Sequence, residues 1–426
     1  MSYRILLLGS GGREHALAWK ISKSPLCDKL FIAPGNPGTA SVGRNINLDI
    51  VNFVEIKDFC LAENINMVVV GPELPLVRGI YDYFANETSL EHIYVIGPSA
   101  QGALLEGSKS FCKSFLLRHN IPTASYREFK QDEIDIAIDY VSEHTLPVVL
   151  KADGLAGGKG VIIATTHEEA IAEIRAMLCG KFGAASHTVV VEEFMQGIEF
   201  SVFILTDGAD YVLLPIAKDY KRIGEGDTGL NTGGMGVVSP PPFVTDALME
   251  KVRQDIILPS LQGLQADEIV YKGFLYIGLM NTQGDIPKVV EYNCRMGDPE
   301  TQSVMMRLDS DIVALFEAVH THKLSHTPVV TNSQTAVTVV LAAGGYPGSF
   351  EIDNPISGVE DVAVAQIFQA GTALQAGTLV TRGGRVLSVN AVGDNLSEAL
   401  EIANSAADKI SYKDKYFRKD IGFEFF

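Results

Sequence analysis

Residues 147–161 constrain this chain more than any other stretch. They read Pro147-Val148-Val149-Leu150-Lys151-Ala152-Asp153-Gly154-Leu155-Ala156-Gly157-Gly158-Lys159-Gly160-Val161. A short apolar run opened by proline and closed by Ala-Asp-Gly predicts a buried strand. The glycines that follow let the backbone approach a ligand closely and turn its N–H groups inward. A second strand starts at Val161, so the loop is the bend of a hairpin. Lys151 and Lys159 bracket it with positive charge, which suits phosphate oxygens. The plainer reading is a tight hairpin with two solvated lysines, because glycine-rich loops are common. A P-loop is excluded: Gly154 to Gly158-Lys159 is one residue too short, and Gly160 stands where a hydroxyl is needed. A helix N-terminus is not the grip either, since the loop joins two strands.

The chain around this hairpin is 426 residues long, enough for two to four domains. Its formal net charge of −18 argues against a nucleic-acid or anionic-membrane surface, while a local cluster of lysines and arginines can still bind a small phosphorylated substrate. No apolar run reaches membrane-spanning length. The N-terminus reads as a first strand and not as a signal peptide. Cys27, Cys60, Cys112, Cys179 and Cys294 are scattered without a Cys-x-x-Cys pair. They are expected to be reduced thiols of a cytoplasmic protein, not zinc ligands.

Residues 4–8 predict a buried strand running into Gly9-Ser10-Gly11-Gly12-Arg13-Glu14-His15 and a helix. This resembles a dinucleotide fingerprint, but Glu14 stands where the third glycine belongs. Strands at 29–33, 67–70 and 93–96 end in Pro34-Gly35-Asn36-Pro37-Gly38, Gly71-Pro72-Glu73 and Gly97-Pro98. Strands alternating with helices imply a parallel sheet whose ligands sit at the strand C-termini. Arg13, Asn36 and Glu73 would meet there as candidate substrate ligands, unless Pro and Gly merely turn the chain.

Ser108 is the expected N-cap of a helix beginning at Lys109, where the helix dipole disfavours a cation unless an anion lies nearby. Residues 122–194 form a small α+β unit with an acidic helix, the central hairpin, a capping box at Thr166–Glu169 and a strand at 189–191. The strand end Glu192-Glu193-Phe194-Met195 is a candidate adenine edge, and Glu199 a candidate for ribose hydroxyls; an ordinary exposed strand end is the alternative. Residues 215–242 are too polar and glycine-rich for a core and too long for a turn, which favours an active-site loop carrying Asp219. A helix is expected at about 246–261. Glu291 and Asn293 lie two apart on the strand 288–293, so both point one way. A carboxylate and an amide oxygen suit a hard cation such as Mg²⁺. Arg295 and Asp298 follow at once, and a Glu291–Arg295 salt bridge without metal is the alternative. Residues beyond about 330 alternate strands and turns with few clustered ionisable groups, and read as a supporting domain.

Taken together, the motifs resemble the ATP-grasp superfamily, and closely its branch that forms glycinamide ribonucleotide. The resemblance runs through Gly9 to Ala16, Ala33-Pro34-Gly35-Asn36, Val70-Gly71-Pro72-Glu73, Leu105-Glu106-Gly107-Ser108-Lys109, residues 151–161, Asp219-Tyr220-Lys221-Arg222, residues 231–236, residues 291–300 and Arg418-Lys419-Asp420-Ile421-Gly422. One departure is Gly157, where the family usually has Ala, and a slightly looser loop is expected. The resemblance implies an α/β and α+β multidomain fold. Its parts would be an N-terminal parallel-sheet substrate domain at 1–103, an ATP-grasp domain at 104–325 with a lid at about 122–194, and a C-terminal mixed domain at 326–426. It implies ligation of glycine to 5-phosphoribosylamine with ATP, through glycyl phosphate, and needs no enzyme nucleophile. Lys109 and Lys151 would hold ATP phosphates, helped by Gly157, Gly158 and Lys159; Glu192, Glu193, Phe194 and Glu199 would take the nucleoside. Glu291 and Asn293 would hold Mg²⁺ or Mn²⁺, and Arg295 would join Lys151 in stabilising the transferring phosphoryl group. Arg13, Asn36, Glu73, Asp219 and Asp298 would take the two small substrates. Nothing here asks for a partner beyond these small molecules, nor for more than a monomer. The rivals are a related carboxylase, a dehydrogenase resting on the N-terminal glycines, and a nucleotide-sensing module.

Overall fold

The computed structural model describes residues 2–157 and 160–426. Gly158 and Lys159, both expected at the phosphate loop, lie outside the described residues.

The N-terminal sheet is wholly parallel. Its strands lie side by side as Arg44–Asn45, Cys27–Pro34, Tyr3–Gly9, Met67–Val70 and Tyr94–Ile96. Strand alternation divides the first strand between two cores. Leu6 and Leu8 pack with Ile56 and Cys60, while Ile5 and Leu7 pack with Ala16 and Ile21. Three loops leave the carboxyl edge together, tied by Gly35 N–H to Gly9 O (3.1 Å) and Gly71 N–H to Leu8 O (3.1 Å).

The central sheet is antiparallel, in the order Tyr211–Leu213, Gly197–Thr206, Gly273–Thr282 and Ile286–Asn293. Over it stands a four-stranded unit in the order Tyr126–Lys130, Thr188–Glu193, Val148–Ala152 and Val161–Ala164. One face of that unit buries Phe129, Leu150, Val189 and Val191 against the helices Ile134–Glu143 and His167–Leu178. Alternation then forces Lys151 and Glu192 to the other face, where both are buried. The helix expected at 246–261 runs on to 266 but widens into a π turn at Arg253–Ile257. Pro259 lies just beyond, and its missing N–H cannot continue the i to i−4 ladder.

The glycine-rich segment is not all loop. Two of its pieces, Lys218–Asp219 and Gly236–Ser239, continue the C-terminal sheet through Thr335–Ala342, Arg385–Gly393 and Gln366–Gln369. Between them an exposed hairpin pairs Arg222–Gly224 with Thr228–Asn231. Arg418, fully buried, reaches that hairpin through Asp227 (2.6 Å) and the Arg222 carbonyl (3.2 Å), and it also pairs with Asp420 (2.8 Å). Among the described residues, no helix is long and apolar enough to cross a membrane.

Candidate active site

The cleft between the four-stranded unit and the central sheet is lined by paired charges. Lys109 opens the helix Lys109–Arg118, capped by the Ser108 hydroxyl on the Phe111 N–H (3.1 Å). Its unfavourable place in the helix dipole is offset by Glu291, 2.9 Å from its Nζ. Burial would lower the Lys109 pKa, but Glu291 outweighs it and raises it. In return Lys109, against the cost of burial and with help from Lys221 and Lys151, holds Glu291 well below the usual carboxylate range. The alternative reading, a Glu291–Arg295 bridge, is not formed. Arg295 turns instead to Glu106 (2.6 Å) and Glu73 (3.4 Å). Those carboxylates keep its guanidinium charged despite burial and fix where it points.

Asn293 follows Glu291 on the same strand face, with Tyr292 buried on the opposite face. A carboxylate held ionised beside an amide oxygen is a donor set for a hard cation. Among the described residues no three His, Cys, Asp or Glu side chains gather into a cage. Mg²⁺ does not require one, since it keeps waters and phosphate oxygens in its shell. The donors present fit such an ion.

Lys151 lies 2.9 Å from Glu192 Oε2 and 3.3 Å from the Val290 carbonyl. Lys113, one helical turn after Lys109, reaches the same oxygen at 3.3 Å. Spacing of four on one helix was the signal for Lys113 that the sequence reading passed over. Glu192 was expected to open an adenine-binding strand edge running to Met195. Its strand is instead interior, paired on both sides, and its carboxylate points into the cleft with Oε1 unpartnered. The free backbone begins only after Glu193, whose carboxylate accepts the Ser125 N–H (3.0 Å). Phe194, at the exposed end, carries the apolar face. Glu199 is bound to Lys221 at 2.5 Å. That lysine, against the cost of burial, is the main reason the carboxylate lies below its ordinary value.

The glycine loop is clamped to the helix Lys109–Arg118. Asp153 Oδ1 accepts the Ser110 N–H (2.7 Å) and the Ser108 hydroxyl (3.0 Å), and its carbonyl accepts the Lys109 N–H (2.9 Å). Gly157 sits at φ +58° with open space around its Cα. Glycine is the unstrained residue for that backbone, so the expected loosening is offset by relief of left-handed strain.

On the N-terminal side, Arg13 pairs with Glu14 (2.5 Å) and donates to the Met296 carbonyl (3.3 Å). Burial would raise Glu73, but Arg295 and Arg13 hold it below its ordinary value. Asn36 was expected to contact substrate, yet its amide is saturated. Nδ2 donates to the Ser10 carbonyl (2.7 Å) and the Gln369 carbonyl (2.8 Å), and Oδ1 accepts from the Gly38 and Thr39 N–H groups (2.8 and 3.0 Å). An amide offers four such positions, so Asn36 holds the loop and leaves nothing free for a ligand.

The C-terminal domain does more than support. Arg385 donates to the carbonyls of Gly233 (2.5 Å) and Asp298 (2.6 Å) and pairs with the Asp298 carboxylate (3.1 Å). Burial pushes Asp298 up, but Arg385 and Arg13 outweigh it and hold it down. Asp219 is raised by burial, Lys221 notwithstanding. Glu300, given no role by the sequence reading, is pushed up to about 7 by burial and by Asp219.

Three domain models of one family match in succession: the phosphoribosylglycinamide synthetase N domain over residues 3–106, its ATP-grasp (A) domain over 107–301 and its C domain over 336–424. The chain is 46% identical over 424 residues to the phosphoribosylamine–glycine ligase of Pseudomonas aeruginosa, covering 98% of this chain and 97% of that protein. It is 48% identical over 422 residues to the ligase of that name from Mesorhizobium japonicum, covering 99% and 98%. The crystal structure of the Thermotoga maritima phosphoribosylamine–glycine ligase superposes with a TM-score of 0.84 at 34% identity, covering 98% of this chain and 99% of that one. The chain belongs to the phosphoribosylglycinamide synthetase family.

Proposed function

We propose that this chain joins glycine to 5-phosphoribosylamine at the expense of ATP, giving glycinamide ribonucleotide, ADP and phosphate. In the first step a glycine carboxylate oxygen attacks the γ-phosphorus, ADP departs, and glycyl phosphate forms. In the second, the sugar amine attacks the acyl carbon, phosphate departs with the C–O bond, and the amine loses a proton. No enzyme nucleophile takes part, so catalysis is positioning and charge stabilisation.

The observation that carries this reading is the convergence in one cleft of Lys109, Lys151, Glu291 and Arg295, each held by a named partner. Lys109 and Lys151 grip the triphosphate, and Arg295 meets charge developing on the transferring group. Glu291 and Asn293 hold Mg²⁺ or Mn²⁺, which supplies charge neutralisation at the phosphate oxygens. Glu193, Phe194 and the backbone after them take the adenine, with Glu192 beneath, and Glu199 takes the ribose. Arg13, Glu73, Asp219 and Asp298 face the small substrates, while Asn36 shapes their loop. The four-stranded unit closes over the acyl phosphate to exclude water.

The test is ADP release by the purified chain with and without glycine and phosphoribosylamine, with the product identified by mass. Release that ignores glycine overturns the reading. Lys151→Ala is expected to slow ADP formation by more than tenfold; a smaller effect removes Lys151 from the phosphate site.

A further inference from the structure

One buried triad in the cleft holds more positive than negative charge. Lys113 is 2% exposed, Lys151 4% and Glu192 2%. Among the described residues, Glu192 pairs only with these two lysines. Both meet it at Oε2, Lys151 at 2.9 Å and Lys113 at 3.3 Å. The two ammonium groups are otherwise placed differently. Lys113 also donates to the Thr123 hydroxyl (2.8 Å) and the Ala124 carbonyl (3.2 Å). The Thr123 hydroxyl gives its own proton to the Val289 carbonyl (2.7 Å), so toward Lys113 it can only accept. An ammonium has three donors, and three oxygens surround this one. Lys151 has the Val290 carbonyl (3.3 Å) besides Glu192, and among the described residues no third oxygen takes its remaining donor.

Charge decides what this difference means. A buried carboxylate with one lysine is a neutral pair, and that lysine has little attraction left for a phosphate. A second lysine on the same oxygen leaves one positive charge over. Lys113, enclosed by its three oxygens, cannot turn that charge toward a ligand, whereas Lys151 can. We infer that Lys113 is the fixed counter-ion of Glu192, and that it thereby leaves the charge of Lys151 to the triphosphate. Lys113 touches no substrate in this assignment; it is a positioning residue that acts through Glu192 and Lys151. The assignment rests on the reading of Lys151 as a phosphate ligand. Burial lowers the Lys113 pKa, Glu192 opposes that, and Lys151 adds to it. The other ionisable groups facing the triad are Cys112 and Lys109 from the same helix, Tyr126 from the neighbouring strand and Glu291 beyond Lys151. Burial pushes the Cys112 thiol up, and Lys109 and Glu291 hold each other ionised.

The test uses the full chain with Mg²⁺ and an ATP analogue that cannot be cleaved between its β- and γ-phosphates. Binding is followed by calorimetry in buffers of different ionisation heat. In Lys113→Met the phosphates and Glu192 compete for Lys151, so Glu192 takes a proton as the nucleotide binds. The variant is expected to bind roughly tenfold or more weaker than wild type at about pH 8, and to take up about one proton more per nucleotide. Its affinity should therefore fall more steeply than that of wild type between about pH 6 and 8. Lys113→Arg, which keeps the charge, should take up no extra proton. Wild-type affinity together with a wild-type proton count in Lys113→Met overturns the assignment. The double variant Lys113→Met/Glu192→Gln removes a cation and an anion together, and it carries the test if the single variant does not fold. It should take up no extra proton, and it should bind magnesium tripolyphosphate, which has no base, within about threefold of wild type. A loss of about tenfold there makes Lys113 a direct phosphate ligand and overturns the counter-ion role. Unchanged tripolyphosphate affinity in Lys151→Ala is a different result, and it overturns the phosphate role of Lys151 itself.

Discussion

Glu300 carries its own test in the free protein, apart from any substrate. Its pKa of about 7 in the folded chain exceeds the unfolded value of about 4.3. Between those values the folded state keeps a proton that the unfolded state has lost. Stability therefore falls as pH rises from about 4.5 to 7 and is level above it. Glu300→Gln removes the titration, so its melting temperature should exceed that of wild type at pH 8, by the equivalent of about 3–4 kcal/mol, and the gain should vanish near pH 4.5. The charged groups that act on Glu300 are Asp219, Lys221 and Arg295, and Lys218 and Glu199 act on it through Asp219. A pH-independent difference in melting would count against a buried carboxylate pair. Glu291 makes a second case at this scale. Its charge is held by Lys109 alone at short range, so Glu291→Ala frees Lys109 and removes a hard oxygen donor. Half-maximal activation by Mg²⁺ should move to at least tenfold higher concentration in an ADP-release titration, and an unchanged curve would exclude Glu291 from the ligand set.

Between elements, Asp153 does the work of registration. It is the first residue of the glycine loop, yet its side chain and carbonyl hold the start of the helix Lys109–Arg118. Loop and helix thus present Lys151 and Lys109 as one unit. Asp153→Ala removes the two side-chain bonds at a cost of about 1–2 kcal/mol in stability, and the KM for ATP should rise about tenfold with little change for glycine. Equal losses for both substrates would contradict a nucleotide-specific clamp. This contact also marks where sequence reading stops. The hairpin at 147–161 was legible because its apolar run, bounding Pro and Gly, and flanking lysines are all local. So were the parallel strands of the first domain and the Glu291-Asn293 face. The inward turn of Glu192 was not legible because strand order is not local: pairing with both Tyr126–Lys130 and Val148–Ala152 makes its strand interior and points its carboxylate into the cleft. The partner of Glu291 was missed for the same reason, since Lys109 lies far away in the chain while Arg295 is four residues off.

At the scale of the molecule, the three regions meet at Asp298. Gln369 accepts from Asn36 and donates to His15 Nδ1 (2.8 Å), which fastens a C-terminal strand to the N-terminal loops. Arg385, on the next strand of that sheet, binds both Asp298 and the Gly233 turn of the central segment. One guanidinium thus sets the position of two loops from different regions relative to the cleft, and its planar fork does this with three separate oxygens. An ammonium offers neither the reach nor the fixed geometry. Arg385 is partly exposed, so its loss should cost little in folding, and Lys109 and Lys151 stand on other elements. Arg385→Ala is therefore expected to lower kcat for ligation by more than tenfold, with the KM for ATP within twofold and the melting temperature within a few degrees of wild type. Arg385→Lys should not restore the rate. Full activity in either variant would return the C-terminal domain to mere support. A loss confined to the ATP step would mean that Asp298 and the Gly233 turn serve the nucleotide and not the small substrates.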